Sequence, residues 1–255
     1  MIDLSGSHVL ITGAGGGIGR ALVECFREAG AAVSGFDLEE AALADLGLAH
    51  GEAFDIRDAD SAAGAVQRLM ETMGVPDVLI NNAGWTRGET LPGVDGDAWR
   101  NEIELNLNGA FYVTQPILGG MLERGSGTIL FVDSVNALLH FGNPAYSAAK
   151  AGMLAFCRSI AVEYGAKGIR ANAICPGSVR TGAWDHRLAA DPGIMDAVTR
   201  FYPLGRIVEP HEVAAAALFL CSPLASGITG VALPVDAGLT AGSLPFVRDI
   251  IERRN

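Results

Sequence analysis

The chain has 255 residues, of which 49% are apolar and 33 are glycine, and its formal net charge is −11 at pH 7. This length suffices for a substantial buried core, and the composition is that of an α/β enzyme rather than a disordered chain. The acidic balance argues against nucleic acid or an anionic membrane as a partner, because both bind basic surfaces.

The cysteines are widely separated, with no Cys-x-x-Cys pair and no histidine at metal-ligand spacing: Cys25, Cys157, Cys175 and Cys221. This pattern predicts reduced, buried thiols and no metal site, and it favours the cytoplasm. We expect no signal peptide, because no basic segment precedes the first apolar run, and no apolar run is long enough to span a bilayer.

A glycine-rich turn follows the first predicted strand, His8–Thr12, and leads into a helix that ends near Ala29. Such a turn lets backbone N–H groups approach a pyrophosphate, and the helix N-terminus favours its negative charge. The residues expected at this contact are Gly13, Gly16, Gly17, Ile18 and Gly19.

An acidic residue, Asp37, ends the second predicted strand, Ala32–Phe36. A carboxylate there can accept both hydroxyls of a ribose and repels a 2′-phosphate. No arginine follows it, and position 16 is glycine rather than a basic residue. The sequence therefore favours NAD over NADP, the alternative being that Asp37 is only a turn residue.

Two further strands are predicted at Glu52–Asp55 and Asp77–Asn81, separated by an amphipathic helix over Asp58–Met73. Open α/β sheets bind ligands at the carboxyl ends of their strands. The cofactor contacts predicted at these two ends are Asp55, Ile56, Asn82, Ala83 and Gly84. The alternative for the last three is an ordinary turn.

A long helix is predicted from about Asp97 to Glu123, with Asn106 among its leucines. An amide inside a helix has low intrinsic preference, so Asn106 either faces solvent or has a polar partner. The fifth strand, Gly127–Asp133, delivers Ser134 to the carboxyl edge of the sheet.

Tyr146 and Lys150 lie four residues apart in the next predicted helix, which continues to about Tyr164. Residues at this spacing share a helix face. Asn143 and Pro144 suit the N-cap and the first helical position, which puts Tyr146 in the first turn. We expect the lysine charge and the helix dipole to lower the pKa of the phenol, although the pair could also be two unrelated surface residues. The broad apolar cover of this helix fits a subunit interface or deep burial equally well.

The last third of the chain holds a sixth strand, Gly168–Cys175, an amphipathic helix over Glu209–Ser222 and a closing strand, Val231–Asp236. The intervening segment 182–207 has an irregular pattern and is interpreted as a lid over a substrate, and residues 239–255 form a tail. Strands alternate with helices without a linker. The chain is therefore predicted to be one Rossmann-type doubly wound α/β domain over 1–255, with a seven-stranded, mostly parallel sheet covered by helices on both faces.

The ordered set of motifs resembles the classical short-chain dehydrogenase/reductase family over nearly the whole chain. The resemblance rests on the turn Thr12–Gly19, the segment Asn81–Gly84, Asn106, Ser134, Tyr146 with Lys150, and the segment Pro176–Thr181. It implies that Tyr146 is the catalytic acid/base, and that Lys150 lowers the pKa of Tyr146 and binds the nicotinamide ribose. It also implies that Ser134 binds the substrate oxygen, that Asn106 holds a water of a proton relay, and that the enzyme is a homotetramer. The residues expected to border the nicotinamide are Pro176, Gly177, Val179 and Thr181.

Two features depart from the family pattern. Ser134 and Tyr146 are twelve residues apart, whereas thirteen is common in the family, so the loop between them is one residue shorter. Asp133 stands before Ser134, where a small residue is more usual.

These observations predict an NAD-dependent oxidoreductase that acts on a secondary alcohol or ketone. A polyol, sugar or cyclitol substrate is suggested by polar residues expected near the pocket, namely Arg87, Asn136, His140 and Asn143, with Trp184 as a further substrate contact beside Ser134 and Tyr146. A steroid-like ketone stays open. The alternatives are an NADPH-dependent 3-oxoacyl carrier-protein reductase, a hydroxyacyl thioester dehydrogenase, and a non-catalytic dinucleotide-binding protein.

Overall fold

The computed structural model describes residues 2–86 and 90–252, so Arg87 lies outside the described residues. Seven strands form one sheet in the order β3-β2-β1-β4-β5-β6-β7, and all of its strand pairs are parallel. The strands are β1 (His8–Thr12), β2 (Ala32–Asp37), β3 (His50–Ala53), β4 (Val78–Asn81), β5 (Gly127–Val132), β6 (Ile169–Pro176) and β7 (Ala232–Val235). The predicted fold class is confirmed.

The helices of the described chain connect these strands and cover both faces of the sheet. They are α1 (Gly17–Glu28), α2 (Glu40–Leu43), α3 (Ala59–Met73), α4 (Gly96–Ile103), α5 (Gly109–Arg124), α6 (Pro144–Tyr164), α7 (Ala183–Ala190), α8 (Ile194–Thr199), α9 (Pro210–Cys221) and α10 (Leu244–Phe246).

Side chains alternate along each strand between two apolar cores. Val9 and Ile11 of β1 pack with α1 and α9 on one face. Leu10 packs with α3, α5 and α6 on the other face. Both faces of the central strands are buried, which explains why strands such as β1 and β4 read as continuous apolar runs rather than alternating ones.

The chain crosses from β3, at one edge of the sheet, to β4, on the far side of β1. Consecutive connections therefore leave the sheet in opposite directions at the carboxyl ends of β1 and β4. Open α/β sheets bind ligands in the crevice at such a switch point. The fold thus predicts where a ligand site forms.

Local signals set several helix ends. Asp58 caps α3 by accepting hydrogen bonds from the N–H groups of Asp60 and Ser61. Glu209 and Glu212 form a reciprocal capping box at the start of α9, an arrangement that satisfies backbone N–H groups lacking helical partners.

The long helix predicted over 97–123 is not continuous. A π-helical turn, Glu104–Asn108, separates α4 from α5. The segment 182–207 is also not irregular, since it contains α7 and α8. Strand β3 begins at His50 and ends at Ala53, so Asp55 lies in the following loop rather than at the strand end.

Asn143 occupies the N-cap position of α6 and Pro144 the first helical position, as predicted, although the Asn143 side chain makes no capping hydrogen bond. It precedes Pro144 in the left-handed conformation (φ +52°, ψ +65°). Gly142 is also left-handed (φ +87°), so two successive positive φ angles turn the short loop into the helix. Asparagine and glycine tolerate this conformation better than other residues.

All four cysteines carry free thiols, and Cys157, Cys175 and Cys221 are buried, as predicted. Within the described ranges, no group of three or more histidine, cysteine or acidic residues is placed to hold a metal ion. No helix in that part of the chain is both long and apolar enough to cross a bilayer.

Candidate active site

A cavity of about 620 Å³ opens at the carboxyl edge of the sheet. Its wall brings together the glycine-rich turn, the ends of β2, β4 and β5, and the first turns of α6. Most of the predicted cofactor and catalytic residues line it, namely Gly13, Gly16, Gly17, Ile18, Gly19, Asp37, Asp55, Ile56, Asn82, Ala83, Gly84, Tyr146 and Lys150.

The glycine turn leaves no room for side chains. Gly13 has a φ of +64°, and a Cβ atom placed on it would lie 2.8 Å from Ala83 Cα. A Cβ on Gly19 would lie 2.0 Å from the Gly13 carbonyl oxygen, and one on Gly17 would lie 2.6 Å from Thr181 Cγ2. The backbone is therefore exposed to the cavity at the start of α1, which suits close approach of a pyrophosphate and fits a dinucleotide.

Asp37 stands beside this turn with its carboxylate fixed by backbone groups. Oδ2 accepts the Gly15 N–H (2.8 Å) and Oδ1 accepts the Leu38 N–H (2.8 Å). An ionised carboxylate has about four acceptor positions. Both oxygens therefore retain capacity for the hydroxyls of a ribose.

Asp55 is held by Arg57, a residue that the sequence analysis did not single out. The Arg57 Nη2 and Nε groups donate to Asp55 Oδ2 at 2.5 and 3.0 Å, and this pairing lowers the pKa of the Asp55 carboxyl group. Arg57 also lines the cavity. The Asp55 carboxylate thus partly neutralises the charge of Arg57 at the cavity wall.

Asn82 ties the loop after β4 to the glycine turn. Its Nδ2 group donates to the carbonyl oxygens of Thr12 and Gly13, both at 3.0 Å. The Thr12 hydroxyl accepts the N–H groups of Asn82 and Ala83 in return. The polar and small residues of this segment therefore brace two neighbouring strand ends.

Asn106 lies in the π-helical turn and is 1% exposed. Its Nδ2 group donates to the carbonyl oxygens of Trp85 and Glu102 and to Glu102 Oε2, and its Oδ1 accepts the Trp85 N–H. A Cβ on Gly84 would lie 2.8 Å from Asn106 Oδ1 and 3.6 Å from Lys150 Nζ. The turn thus places Asn106 next to Lys150 across a glycine.

Tyr146 and Lys150 share one face of α6, as predicted. Lys150 Nζ lies 5.6 Å from the centroid of the Tyr146 ring. The lysine is 2% exposed, and its Nζ donates to the Val132 carbonyl oxygen at 2.9 Å. Ser134, 8% exposed, is the second residue after β5 and lies close enough for its hydroxyl to act on the phenol.

The prediction that Lys150 and the helix terminus lower the pKa of Tyr146 is wrong for the protein by itself. Desolvation raises the pKa of the phenol, and the charges of Asp133 and Glu102 act in the same direction, while the Ser134 hydroxyl opposes them. Burial also lowers the pKa of Lys150, against the effect of Asp133. Desolvation opposes the charged form of each group and is the largest cause of both shifts.

Other predicted residues lie away from the cavity wall. Pro176 pairs with Val235 in the sheet, Gly177 packs against Asp236, and Val179 bridges to Val208. Thr181 packs against the glycine turn at Gly17.

Two predicted substrate residues have structural contacts of their own. Trp184 is buried in a small apolar cluster with Tyr202 and Ile207. Asn136 Nδ2 donates to the Gly142 carbonyl oxygen and to the Ser147 hydroxyl, which holds the shortened loop together.

Residues absent from the sequence prediction also line the cavity: Phe36, Leu38, Phe54, Arg57, Trp85, Leu105, Val132 and Asp133. Most are strand-end or loop residues whose proximity depends on the sheet order. Asp133 is the one residue of this set that the sequence analysis noted, because a small residue is more usual before Ser134.

Comparisons with known proteins identify the family of this chain. A family model described as enoyl-(acyl carrier protein) reductase matches residues 13–240. The chain is 38% identical to an uncharacterised oxidoreductase of Schizosaccharomyces pombe over 100% of this chain and 98% of that protein. It is 34% identical to a 3-oxoacyl-[acyl-carrier-protein] reductase of Vibrio harveyi, over 93% of this chain and 99% of the relative.

Solved structures match equally well. An oxidoreductase of the short-chain dehydrogenase/reductase family from Burkholderia thailandensis superposes with a TM-score of 0.90 at 40% identity, covering 96% of this chain and 97% of the other. A gluconate 5-dehydrogenase from Burkholderia cenocepacia, in complex with NADP and tartrate, has a TM-score of 0.88 at 32% identity, covering 94% and 98%. The chain belongs to the short-chain dehydrogenase/reductase family and is an oxidoreductase of that family.

Proposed function

We propose that this protein is an NAD-dependent dehydrogenase that oxidises a secondary alcohol to a ketone, with a polyol, sugar or cyclitol as substrate. The observation that carries the proposal is that one cavity is lined at one end by the glycine turn and Asp37, and at the other by Tyr146 and Lys150. The first end suits a dinucleotide and the second suits proton transfer.

Each residue has a distinct part in this reaction. The nicotinamide supplies hydride transfer when bound. Tyr146 takes the proton of the substrate hydroxyl, Ser134 orients that oxygen by a hydrogen bond, and Lys150 places a positive charge against the phenol ring. Asn106 fixes the backbone that adjoins Lys150. A base within hydrogen-bond reach of the alcohol is the requirement that this arrangement meets.

The preference for NAD rests on the Asp37 carboxylate. A 2′-phosphate beside it would meet like-charge repulsion, and the nearby Arg57 guanidinium is engaged by Asp55. The gluconate 5-dehydrogenase was solved with NADP, so both nucleotides belong in the assay.

A second candidate is reduction of a 3-oxoacyl thioester, which the Vibrio harveyi relative favours by its name. We rank it lower because the Asp37 carboxylate would repel the 2′-phosphate of NADPH. The two candidates differ in substrate, and a single panel separates them.

The test is NADH and NADPH formation with polyols, sugars, cyclitols, hydroxyacids and a 3-hydroxyacyl thioester. We expect turnover with NAD⁺ and a polyol, sugar or cyclitol. Tyr146→Phe should still bind nucleotide yet lose at least about 100-fold in kcat, the range for a general acid/base. Tyr164→Phe, at the end of the same helix, is the matched control. Wild-type rates in Tyr146→Phe would refute the assignment.

A further inference from the structure

Asp133 is a carboxylate at the reactive end of the cavity, and neither the fold nor the proton transfer described above requires it. It follows β5 directly, is 4% exposed and lines the cavity with Tyr146 and Lys150. Its Oδ1 accepts the Ser134 N–H at 2.8 Å. Its Oδ2 is buried, with no hydrogen-bond partner among the described residues.

A buried carboxylate with an unused oxygen is costly unless a positive charge or a donor compensates for it. Lys150 lies nearby, but its Nζ donates to the carbonyl oxygen of Val132 and makes no hydrogen bond to Asp133 Oδ2. The two groups still interact electrostatically, since Lys150 lowers the pKa of Asp133 while burial raises it to about 7. The charge of Lys150 therefore offsets only part of the cost of burying the Asp133 carboxylate.

We infer that Asp133 is a positioning residue that favours oxidised over reduced nicotinamide and so biases the enzyme toward alcohol oxidation. The inference rests on the proposed function. An oxidised nicotinamide ring carries a positive charge and a reduced ring is neutral. The buried ammonium of Lys150 repels the oxidised ring, and the carboxylate of Asp133 offsets that repulsion.

The inference predicts a change in relative affinity rather than in overall binding. Asp133→Asn removes the charge but keeps an oxygen for the Ser134 N–H. Equilibrium dissociation constants for NAD⁺ and NADH, measured by calorimetry or fluorescence, should show NAD⁺ binding weakened by about tenfold. NADH binding should be unchanged or tighter.

Asp60→Asn is the matched control, because Asp60 is an exposed carboxylate in the first turn of α3. It changes the net charge equally and should leave the ratio of the two dissociation constants unchanged. An unchanged ratio in Asp133→Asn, or equal weakening of both nucleotides, would overturn the inference while leaving the proposed dehydrogenase intact. If the wild type bound neither NAD(H) nor NADP(H), both proposals would fail.

Wild-type protein provides a second test if the variant does not fold. Binding of NAD⁺ should favour ionised Asp133, so NAD⁺ affinity should rise with pH across the neutral range more steeply than NADH affinity. The other titratable or charged groups that act on Asp133 or on the Tyr146–Lys150 pair are Glu102 of α4, Tyr146, Lys150, Cys157 and Arg158 of α6, and Cys175 of β6. Identical pH dependence for the two nucleotides would contradict the inference.

Discussion

At the scale of single residues, the orientation of Asp37 gives a test of nucleotide choice. Its two oxygens accept backbone N–H groups of Gly15 and Leu38, so the carboxylate is fixed at the cavity wall. Asp37→Asn preserves the shape and removes the charge that repels a 2′-phosphate. We expect kcat/KM for NADP relative to NAD to rise by about tenfold, equivalent to about 1.4 kcal/mol.

Asp37→Ala should change the ratio in the same direction, and Asp60→Asn controls for net charge. The measurement is steady-state kinetics with both nucleotides at one substrate concentration series. An unaltered ratio in both Asp37 variants would remove the reason for preferring NAD.

The raised pKa of Tyr146 predicts opposite pH dependence for the two reaction directions. Because burial raises this pKa, Tyr146 is a neutral phenol in the protein alone. The phenol is ready to donate a proton for ketone reduction, whereas alcohol oxidation requires its deprotonated form. We expect oxidation to accelerate as pH rises through the neutral and alkaline range, and reduction to slow. A rate of oxidation that falls over this range would contradict the assignment.

At the scale of secondary structure, Glu212 links the start of α9 to the preceding loop. It accepts the Glu209 N–H and hydrogen bonds from Nη1 and Nη2 of Arg206 at 2.6 and 2.7 Å, which lowers the pKa of Glu212 to about 2. A depressed pKa means that this contribution to stability is present above the ordinary glutamate pKa and is lost as pH falls toward about 2.

Glu212→Gln should therefore lower the free energy of unfolding by about 1 kcal/mol at neutral pH, the upper range for an exposed pair. The difference from wild type should shrink as the pH is lowered through 4, as measured by urea denaturation. Glu28→Gln, at the exposed end of α1, is the control. A difference that does not vary with pH would show that the charge of Glu212 is not involved.

The segment 182–207 is predicted to close over the substrate. It contains a small buried cluster of Trp184, Tyr202 and Ile207, apart from the two main cores. A segment that is held by few buried apolar contacts opens more readily than the main cores do. Hydrogen exchange in this segment should slow when NAD⁺ and substrate bind together, while β5 should show no such change. Equal exchange with and without ligands would argue against a lid.

The sequence predicts most elements because each has a local cause. Central strands such as β1 and β4 are continuous apolar runs, and α9 begins with a capping box. The sequence does not predict the π-helical turn at Asn106. In this turn Asn106 forms hydrogen bonds with the backbone of Trp85, which lies in the distant loop after β4. In the sequence, the only indication of this turn is an asparagine among leucines. The left-handed entry to α6 was missed for a related reason, since Asn143 suits both a cap and a positive φ.

At the scale of the whole molecule, the cavity depends on the sheet order. Asp37, Gly84 and Tyr146 are far apart in sequence, yet all three line one cavity. The parallel sheet, with its crossover from β3 to β4, brings the segments that carry them to one edge. Sequence motifs predicted which residues carry the chemistry. They did not predict the sign of the pKa shifts at Tyr146, because burial of the phenol is a property of the assembled fold.

The surface of the long helices provides the test of oligomeric state. The protein is proposed to form a homotetramer, and the outer faces of α5 and α6 expose Phe111 (46%) and Val162 (83%). We expect these two side chains to lie in the contact between chains of the tetramer. Val162 is exposed enough that a charge there would not disturb the single chain, but it would be desolvated in an interface between chains.

Val162→Glu should therefore shift the assembly to smaller species with little change in secondary structure, as measured by light scattering after gel filtration and by circular dichroism. Leu224→Glu is the matched control, because Leu224 is 72% exposed in a short turn after α9. A monomeric wild type would refute the tetramer. A tetrameric Val162→Glu variant would place the interface elsewhere, because burying an uncompensated carboxylate costs several kcal/mol in each contact, about enough to dissociate a typical assembly.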